Sequence, residues 1–524
     1  MTVDRIAHYL HDRAAGIELP PADPARIARR AGRRRHVRRS VACVAAATVV
    51  AGGSVTLAQR GGDARSEVTL DRAAATESPL DWALVEPTAG PIGVRTAATA
   101  FTDDGAVYTL STAPAAEGAS VGEVGEPATL YRSDDGAAWA PVRLPGDLWA
   151  SSLASSGGTL YAVGTSPSGG GATYQVAVSG DGGATWSTTD VPSELAELQA
   201  RYPGEVRTAQ PTVAVHDGTV VVSAPVLAAL QMDARLPGGL PGWADSWQPT
   251  DEGAVVYRSG ECDGASLEAD STVAVPCGGA DTAQRSETFT WAELGVDSDL
   301  RDLVLAGRTY VFVSHDGGEF SRADLGDAPV RSTTGSRVVA TDDGFTLLLS
   351  RPGSPERTAV LASSDGDAWR PDGELPGYLV DAGTVDGRAA VAVGTVPDPS
   401  TSVHLQQADG SWLAVDPRAA LDDPHRADAV AVAFGPLGWA ATMWVHDGGD
   451  GSTETEESRV EVVHSVDGTT LSPVPLDGLV ERPALGEVGL TVTADAVVVR
   501  ITEPGDGDPA TVSSQQVVVG TPRG

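Results

Sequence analysis

One short turn, repeated along the chain, limits what this sequence can fold into. Residues Ser179–Trp186 read S-G-D-G-G-A-T-W and follow an alternating segment with Tyr174, Val176 and Val178 on one face. An Asp followed by Gly makes a tight strand-to-strand turn, because Gly supplies positive φ and the carboxylate caps nearby amides. The same pattern returns at Ser133–Trp139, Ser314–Phe320, Ser363–Trp369 and Ser465–Leu471, with degenerate copies at Cys262-Asp263-Gly264 and Asp409-Gly410-Ser411-Trp412. The key aspartates are Asp135, Asp181, Asp263, Asp316, Asp365, Asp409 and Asp467, at intervals of 46, 82, 53, 49, 44 and 58 residues.

Such intervals match sheet units of four short strands, each ~40–50 residues long, with one unit enlarged. Hairpins that open these units are expected near 94–111, 147–165, 206–224, 331–350, 377–396, 428–446 and 484–503, which makes seven. Residues 225–305 show no clear hairpin of that kind and read as an elaboration of the third unit. After the last hairpin comes one more strand, Gln515–Val519, and the orphan strand Asp81–Glu86 at the start is its expected partner. Pairing strands from both ends would close the ring and remove an open sheet edge.

The octapeptide at Ser179–Trp186 resembles the Asp-box repeat, S-x-D-x-G-x-T-W, of sialidase-type β-propellers. The resemblance implies an all-β, seven-bladed β-propeller over 80–524 with Asp-box turns, and it makes the turn residues structural. Asp135, Asp181, Asp316, Asp365 and Asp467 would then hold their turns while Trp139, Trp186 and Trp369 pack between sheets. Sialidases with this repeat also bind the substrate carboxylate with three arginines and use a Tyr–Glu pair plus an Asp acid. They carry an R-I-P-type segment near the first strand. The nearest stretch here, Pro91-Ile92-Gly93-Val94-Arg95, has the order wrong, and no such triad is recognisable.

The N-terminal region has a different character. Residues 1–39 hold ten Arg against four acids, ending in a cluster from Arg26 to Arg39, with a short amphipathic helix expected around Ile6, Tyr9 and Leu10. Residues 40–58 (SVACVAAATVVAGGSVTLA) carry no charge over 19 residues, near the ~20 needed to span a bilayer. Arginines directly before an apolar stretch mark the cytoplasmic side. The expectation is a cytoplasmic leader (1–39), a single transmembrane helix acting as signal anchor (40–58), a linker (59–79) and an extracytoplasmic propeller. Cleavage after Ala58 as a secretory signal peptide is the rival reading.

Composition removes several kinds of chemistry. The sequence contains no Lys and no Asn. Without Lys there is neither a P-loop nor a Schiff-base nucleophile. Residues 40–524 carry 26 Arg against 67 acids, and a body that acidic repels nucleic acid. No nucleic-acid partner is expected.

Candidate sites remain outside the repeat. Cys262 and Cys277 flank the alternating run Leu267–Val275, and outside the cytoplasm a disulfide is the natural reading. Trp243 and Trp247, with Tyr257, follow a Pro/Gly-rich stretch. They can form a sugar- or peptide-binding platform, or seal the insertion against the propeller rim. No cofactor is called for. The acidic loop with Asp447, Asp450, Glu454 and Glu456 is the one candidate for Ca²⁺, although it lacks the alternating ligand spacing of an EF-hand. Gly118–Gly122 fits G-x-S-x-G but lacks the strand–turn–helix setting of a nucleophile elbow.

The reading that follows is a membrane-anchored, extracytoplasmic binding or scaffolding propeller with a protein or glycan ligand. A sialidase-like glycoside hydrolase is the alternative. A further alternative is a sensor whose leader contacts a cytoplasmic regulatory partner, since the Arg-rich leader is similar to those of anti-sigma-type membrane proteins.

Overall fold

Alternation in the repeats becomes a ring of seven antiparallel sheets. The computed structural model of the chain describes residues 68–69 and 78–523, except 86–94, 103–104, 113–127, 135–137, 169–170, 193, 203–205, 229–245, 251–252, 259–284, 295, 327–335, 352–356, 396–399, 422–426, 447–457, 477–478, 481–486 and 506–507. The innermost strands of blades 1 to 7 are Arg95–Phe101, Trp149–Ser156, Thr212–His216, Ser336–Thr341, Tyr378–Val385, Ala427–Gly435 and Glu487–Val492. Each lies against the next, and Glu487–Val492 returns to Arg95–Phe101, so the ring closes. The molecule is a seven-bladed β-propeller.

Burial explains why the blades stack. The second strand of blade 4, Gly344–Arg351, has Leu347, Leu348 and Leu349 fully buried. A strand covered on both faces by neighbouring sheets needs a continuous apolar run, not an alternating one. The outermost strand of the same blade, Arg370–Pro376, is mostly exposed and polar. Hydrophobic clusters fill the seams: Tyr174, Val222 and Phe312 between blades 2 and 3, Trp439 and Met443 between blades 5 and 6, and Leu490 and Val518 between blades 6 and 7. The seam from blade 7 to blade 1 differs. Among the described residues its apolar cluster is small (Ala496, Val498 and Val517), and there the Arg500 guanidinium lies 4.6 Å from the Trp139 ring centre.

The seven expected hairpins are all present, and so is the closing pair. Leu80–Val85 pairs antiparallel with Asp508–Pro522, in register Leu80↔Pro522 to Val85↔Val517, and completes blade 7. At its start Ser78 Oγ accepts from Trp82 Nε1 at 2.9 Å and meets His464 Nε2 of blade 6 at 3.0 Å. Two details differ from the expectation. The second strand of blade 3 runs Thr219–Ala228, so the elaboration starts later than residue 225. It also contains a hairpin of its own, Ser246–Thr250 with Gly253–Arg258, extended to three strands by Arg285–Thr290. Helix α1 (Leu195–Arg201) joins blade 2 to blade 3, and α2 (Ser298–Ala306) returns the elaboration to the ring. Val68–Thr69 adds a parallel strand to the outer edge of blade 5.

Among the described residues no helix is long and apolar enough to cross a bilayer. The expected leader and span, residues 1–58, lie outside the described residues.

Candidate functional site

The Asp-box turns come first, because their carboxylates are the most numerous polar groups of the repeat. Asp181 Oδ1 accepts from the Ser179 hydroxyl at 2.8 Å and the Thr185 amide at 2.8 Å, and Oδ2 accepts from the Thr185 hydroxyl at 2.6 Å. These donors, the Thr185 hydroxyl foremost, pull its pKa down to about 2. Asp316 takes the Gly318 amide and the Ser314 hydroxyl. Asp365 takes the amides of Asp367 and Ala368 and the Ser363 hydroxyl. Both are held below the usual carboxylate range by these bonds, that from Gly318 leading in one and that from Ala368 in the other. At Asp467 partial burial works to raise the pKa, but the hydroxyl and amide of Thr470 outweigh it and bring it to about 2.

Each turn also docks on the blade before it. A Cβ at Gly183 would stand 2.4 Å from Val142 of blade 1. One at Gly366 would stand 2.7 Å from Val221 of blade 3, and one at Gly468 would stand 3.0 Å from Leu405 of blade 5. All three glycines have positive φ, so the position excludes a side chain both by conformation and by space. Trp186 is half-buried and donates to the Arg143 carbonyl of blade 1 at 3.0 Å. Trp369 donates within its own turn to the Gly366 carbonyl at 2.8 Å. Where the turn of blade 6 has Leu471 in place of Trp, Trp439 from the second strand donates to the Gly468 carbonyl at 2.8 Å. Asp135 lies outside the described residues, although its companion Trp139 is buried against Arg500.

These turns occupy one face of the ring. Four antiparallel strands per blade put the first and third turns on one face. The loops between second and third strands, and the connections between blades, belong to the other. That opposite face receives the strand ends Ala228 and His446, from which the elaboration and the acidic loop leave. Trp247 falls on the strand Ser246–Thr250. Trp243, Cys262, Cys277, Asp447, Asp450 and Glu454 lie outside the described residues. Among the described residues no group of three His, Cys, Asp or Glu could hold a metal ion.

The loop face also receives the entry ends of the seven innermost strands, several of which begin with polar or aromatic residues. Four of these strands carry a β-bulge near that end: between Thr96 and Ala98, Ala150 and Ser152, Leu379 and Asp381, and Ala429 and Ala431. A bulge bends its strand and re-aims the side chains beside it. Ser151, left unpaired by the second bulge, donates to the Pro211 carbonyl at 2.8 Å. The ring of Tyr378 lies over Gly394, where a Cβ would come within 2.4 Å of it. Asp381, just past the third bulge, accepts from the Ala382 amide at 2.9 Å and faces Arg337 Nε of blade 4 at 3.6 Å.

The Arg337–Asp381 pair bridges two innermost strands, with side chains 29% and 41% exposed. Enclosure by the surrounding sheets raises the Asp381 carboxyl, against the lowering effect of the Arg337 charge. Trp149 begins the innermost strand of blade 2 and is partly exposed. Arg95, Asp428 and Glu487 hold strand positions at the same end of blades 1, 6 and 7.

Sequence reasoning did not single out Arg337, Asp381, Trp149 or Tyr378. Arg95 was noted, as the end of a motif written in the wrong order.

No known family model matches the chain, and no curated protein matches it. Among solved structures it is similar to the α-L-arabinofuranosidase Arb93A of Fusarium graminearum at 10% identity, over 85% of this chain and 98% of that one, with a TM-score of 0.35. It is similar to the phage phi92 endosialidase at 11% identity, over 85% and 69%, with a TM-score of 0.36. It is also similar to the Trypanosoma rangeli sialidase at 8% identity, over 79% and 59%, with a TM-score of 0.33. Values this low carry nothing about chemistry, and the propeller rests on the chain's own strand order.

Proposed function

We propose that this chain is a membrane-anchored, extracytoplasmic binding propeller that takes its ligand at the loop-face mouth of the ring. The supporting observation is the Arg337–Asp381 pair across two innermost strands, with Trp149 and Tyr378 at the first positions of two such strands. A carboxyl group beside a guanidinium offers a fixed acceptor and fixed donors, and aromatic residues on innermost strands add flat apolar surface. The Asp-box carboxylates support the same reading from the other side, since their acceptors are taken up by turn amides and hydroxyls.

Probing glycan and peptide arrays with the full chain should give a saturable ligand. Replacing Asp381 with Asn should weaken that ligand by about tenfold or more, through loss of one carboxyl oxygen acceptor. An Asp381→Asn protein that melts like the parent and binds as tightly would remove the mouth from consideration.

Anchoring rests on the charge-free stretch 40–58 directly after the Arg cluster. A reporter active only outside the cytoplasm, fused after residue 62, should give signal. A silent reporter there, with a working cytoplasmic one, would reverse the topology. In this topology the leader 1–39 is available to a cytoplasmic regulatory partner, and in-cell crosslinking from the leader tests that.

A second reading, hydrolysis of a glycoside, is favoured by one observation. Asp381, Asp428 and Glu487 hold places at the same end of three consecutive innermost strands, and glycoside cleavage needs two carboxyl groups across a bond. Turnover of a fluorogenic glycoside that disappears in Asp381→Asn would establish hydrolysis in place of binding alone.

A further inference from the structure

A cavity lies where blade 2 hands over to blade 3. It encloses about 230 Å³ and is lined by Pro192, Glu194, Tyr310, Phe312 and Arg322. Pro192 and Glu194 come from the connection into α1, Tyr310 and Phe312 from the third strand of blade 3, Arg308–Ser314, and Arg322 from its short outermost strand. The back wall is rigid, since Tyr310 and Phe312 belong to the core between blades 2 and 3 and are 1% and 2% exposed. The handover is further tied by the Tyr202 hydroxyl, which donates to the Asp297 carboxylate at 2.7 Å, the residue that also caps α2.

The polar groups of the cavity are arranged in a definite way. The Tyr310 hydroxyl donates to Glu194 Oε2 at 3.0 Å, and Arg322 Nη1 donates to Oε1 at 2.6 Å. The Arg322 guanidinium lies 5.0 Å from the centre of the Tyr310 ring. Glu194 and Arg322 keep 46% and 56% of their side chains exposed, so they form the rim.

We propose that this cavity is a binding site for a neutral sugar ring, recognised through two adjacent hydroxyls. Glu194 and Arg322 cancel each other's charge, so a carboxylate or ammonium on the ligand would lose its hydration without meeting an unpaired counter-charge. A hydroxyl has far less hydration to lose: it donates to a second lone pair on Glu194 and accepts from the other N–H groups of Arg322. Two hydroxyls on neighbouring ring carbons therefore match a carboxylate and a guanidinium held side by side. Pro192 and Phe312 give the ring's C–H face an apolar wall. The cavity is smaller than those of drug-sized ligands, roughly 300 Å³ and upward, which limits it to a single ring. Free sugars and the end unit of a glycan share this chemistry. The site is independent of the ring mouth and stands or falls without it.

Saturation-transfer NMR and calorimetry on the full chain test it, with a panel of neutral hexoses and pentoses, their methyl glycosides, and glucosamine and glucuronic acid as charged counterparts. At least one neutral sugar should bind, and Glu194→Gln and Arg322→Gln should each weaken it about tenfold or more, by leaving ligand hydroxyls unmatched. Arg322 sits on the rim, so its variant folds even if the Glu194 variant does not. Equal binding of a sugar and its methyl glycoside identifies the end unit of a glycan as the ligand, and loss on methylation identifies the free sugar. Binding of a charged sugar without any neutral one would overturn the ligand class. Absence of all binding, or binding that both variants leave unchanged, would overturn the site.

Discussion

Asp181 shows how a conspicuous carboxylate can be used entirely for folding. It sits on a turn that recurs round the ring, whereas a catalytic acid must stand in one place within reach of one reacting atom. Its oxygens accept two hydroxyls and an amide. Asp181→Ala should therefore lower Tm by about 1–2 °C and leave ligand binding intact, as differential scanning calorimetry beside the array assay would show. The buried imidazoles behave differently. His404 and His464 are almost fully buried, with Nε2 against Ser402 and Ser78, and burial pulls both pKa values down from 6.5 to about 4. Well above pH 6.5 neither imidazole is charged in the folded or the unfolded chain, so neither affects stability there. As pH falls from 6.5 towards 4 the unfolded chain takes up protons that the folded one refuses. Stability then declines by up to about 1.4 kcal/mol per pH unit for each His. The Asp181 and Asp467 carboxylates act only below that window, between about 3.8 and about 2. Urea melts across pH 4–7 should show the first decline, and His464→Gln, long enough to keep the Ser78 contact, should remove part of it.

At the scale of the blade, what decides stability is the seam. Six seams are filled by aliphatic and aromatic side chains, but blade 7 meets blade 1 through Arg500, which is 6% exposed. Its guanidinium has the Trp139 ring at 4.6 Å and the Thr491 hydroxyl at 3.5 Å, and its Nε has no partner. Burial lowers its pKa to about 10. Among the described residues no carboxylate pairs with it. A buried charge without a counter-charge costs more than it returns, and apolar replacements of similar volume are often neutral or stabilising. Arg500→Met should be as stable as the parent or better by about 1 kcal/mol. Arg500→Ala, which also loses the packing on Trp139, should be less stable. A Met variant that melts well below the parent would mean that the charge is needed at the seam. Nothing local in V-V-V-R-I announces this contact, whose partner Trp139 belongs to the first blade. Blade count, hairpins and closing strand were legible because alternation and Asp-Gly turns are local signals. The outermost strands Ser321–Arg322 and Ser472–Pro473 are too short to show a period. The hairpin at Ser246–Arg258 is set in an elaboration that breaks the repeat. Arg337 and Asp381 were invisible for a similar reason. They sit on different blades, and only the bulge after Leu379 and the stacking of sheets bring them together.

For the whole molecule, the joint between Leu80–Val85 and Asp508–Pro522 keeps the ring closed. Deleting 508–524 would take Val517 and Val518 from the core of blade 7 and leave the first strand without a neighbour. The truncated chain should melt at lower temperature, with lost cooperativity, and self-associate through the exposed edges, as calorimetry and size-exclusion chromatography would report. The same joint fixes an order of events in the cell. Residues 80–85 are among the first of the ring to leave the ribosome, and their partners are among the last. Throughout synthesis a strand bearing Trp82 and Leu84 must wait unpaired while six blades form behind it. Growing chains thus pass through a long-lived, open-edged stage, and holding factors or the pace of elongation late in the message will govern how many of them finish as rings.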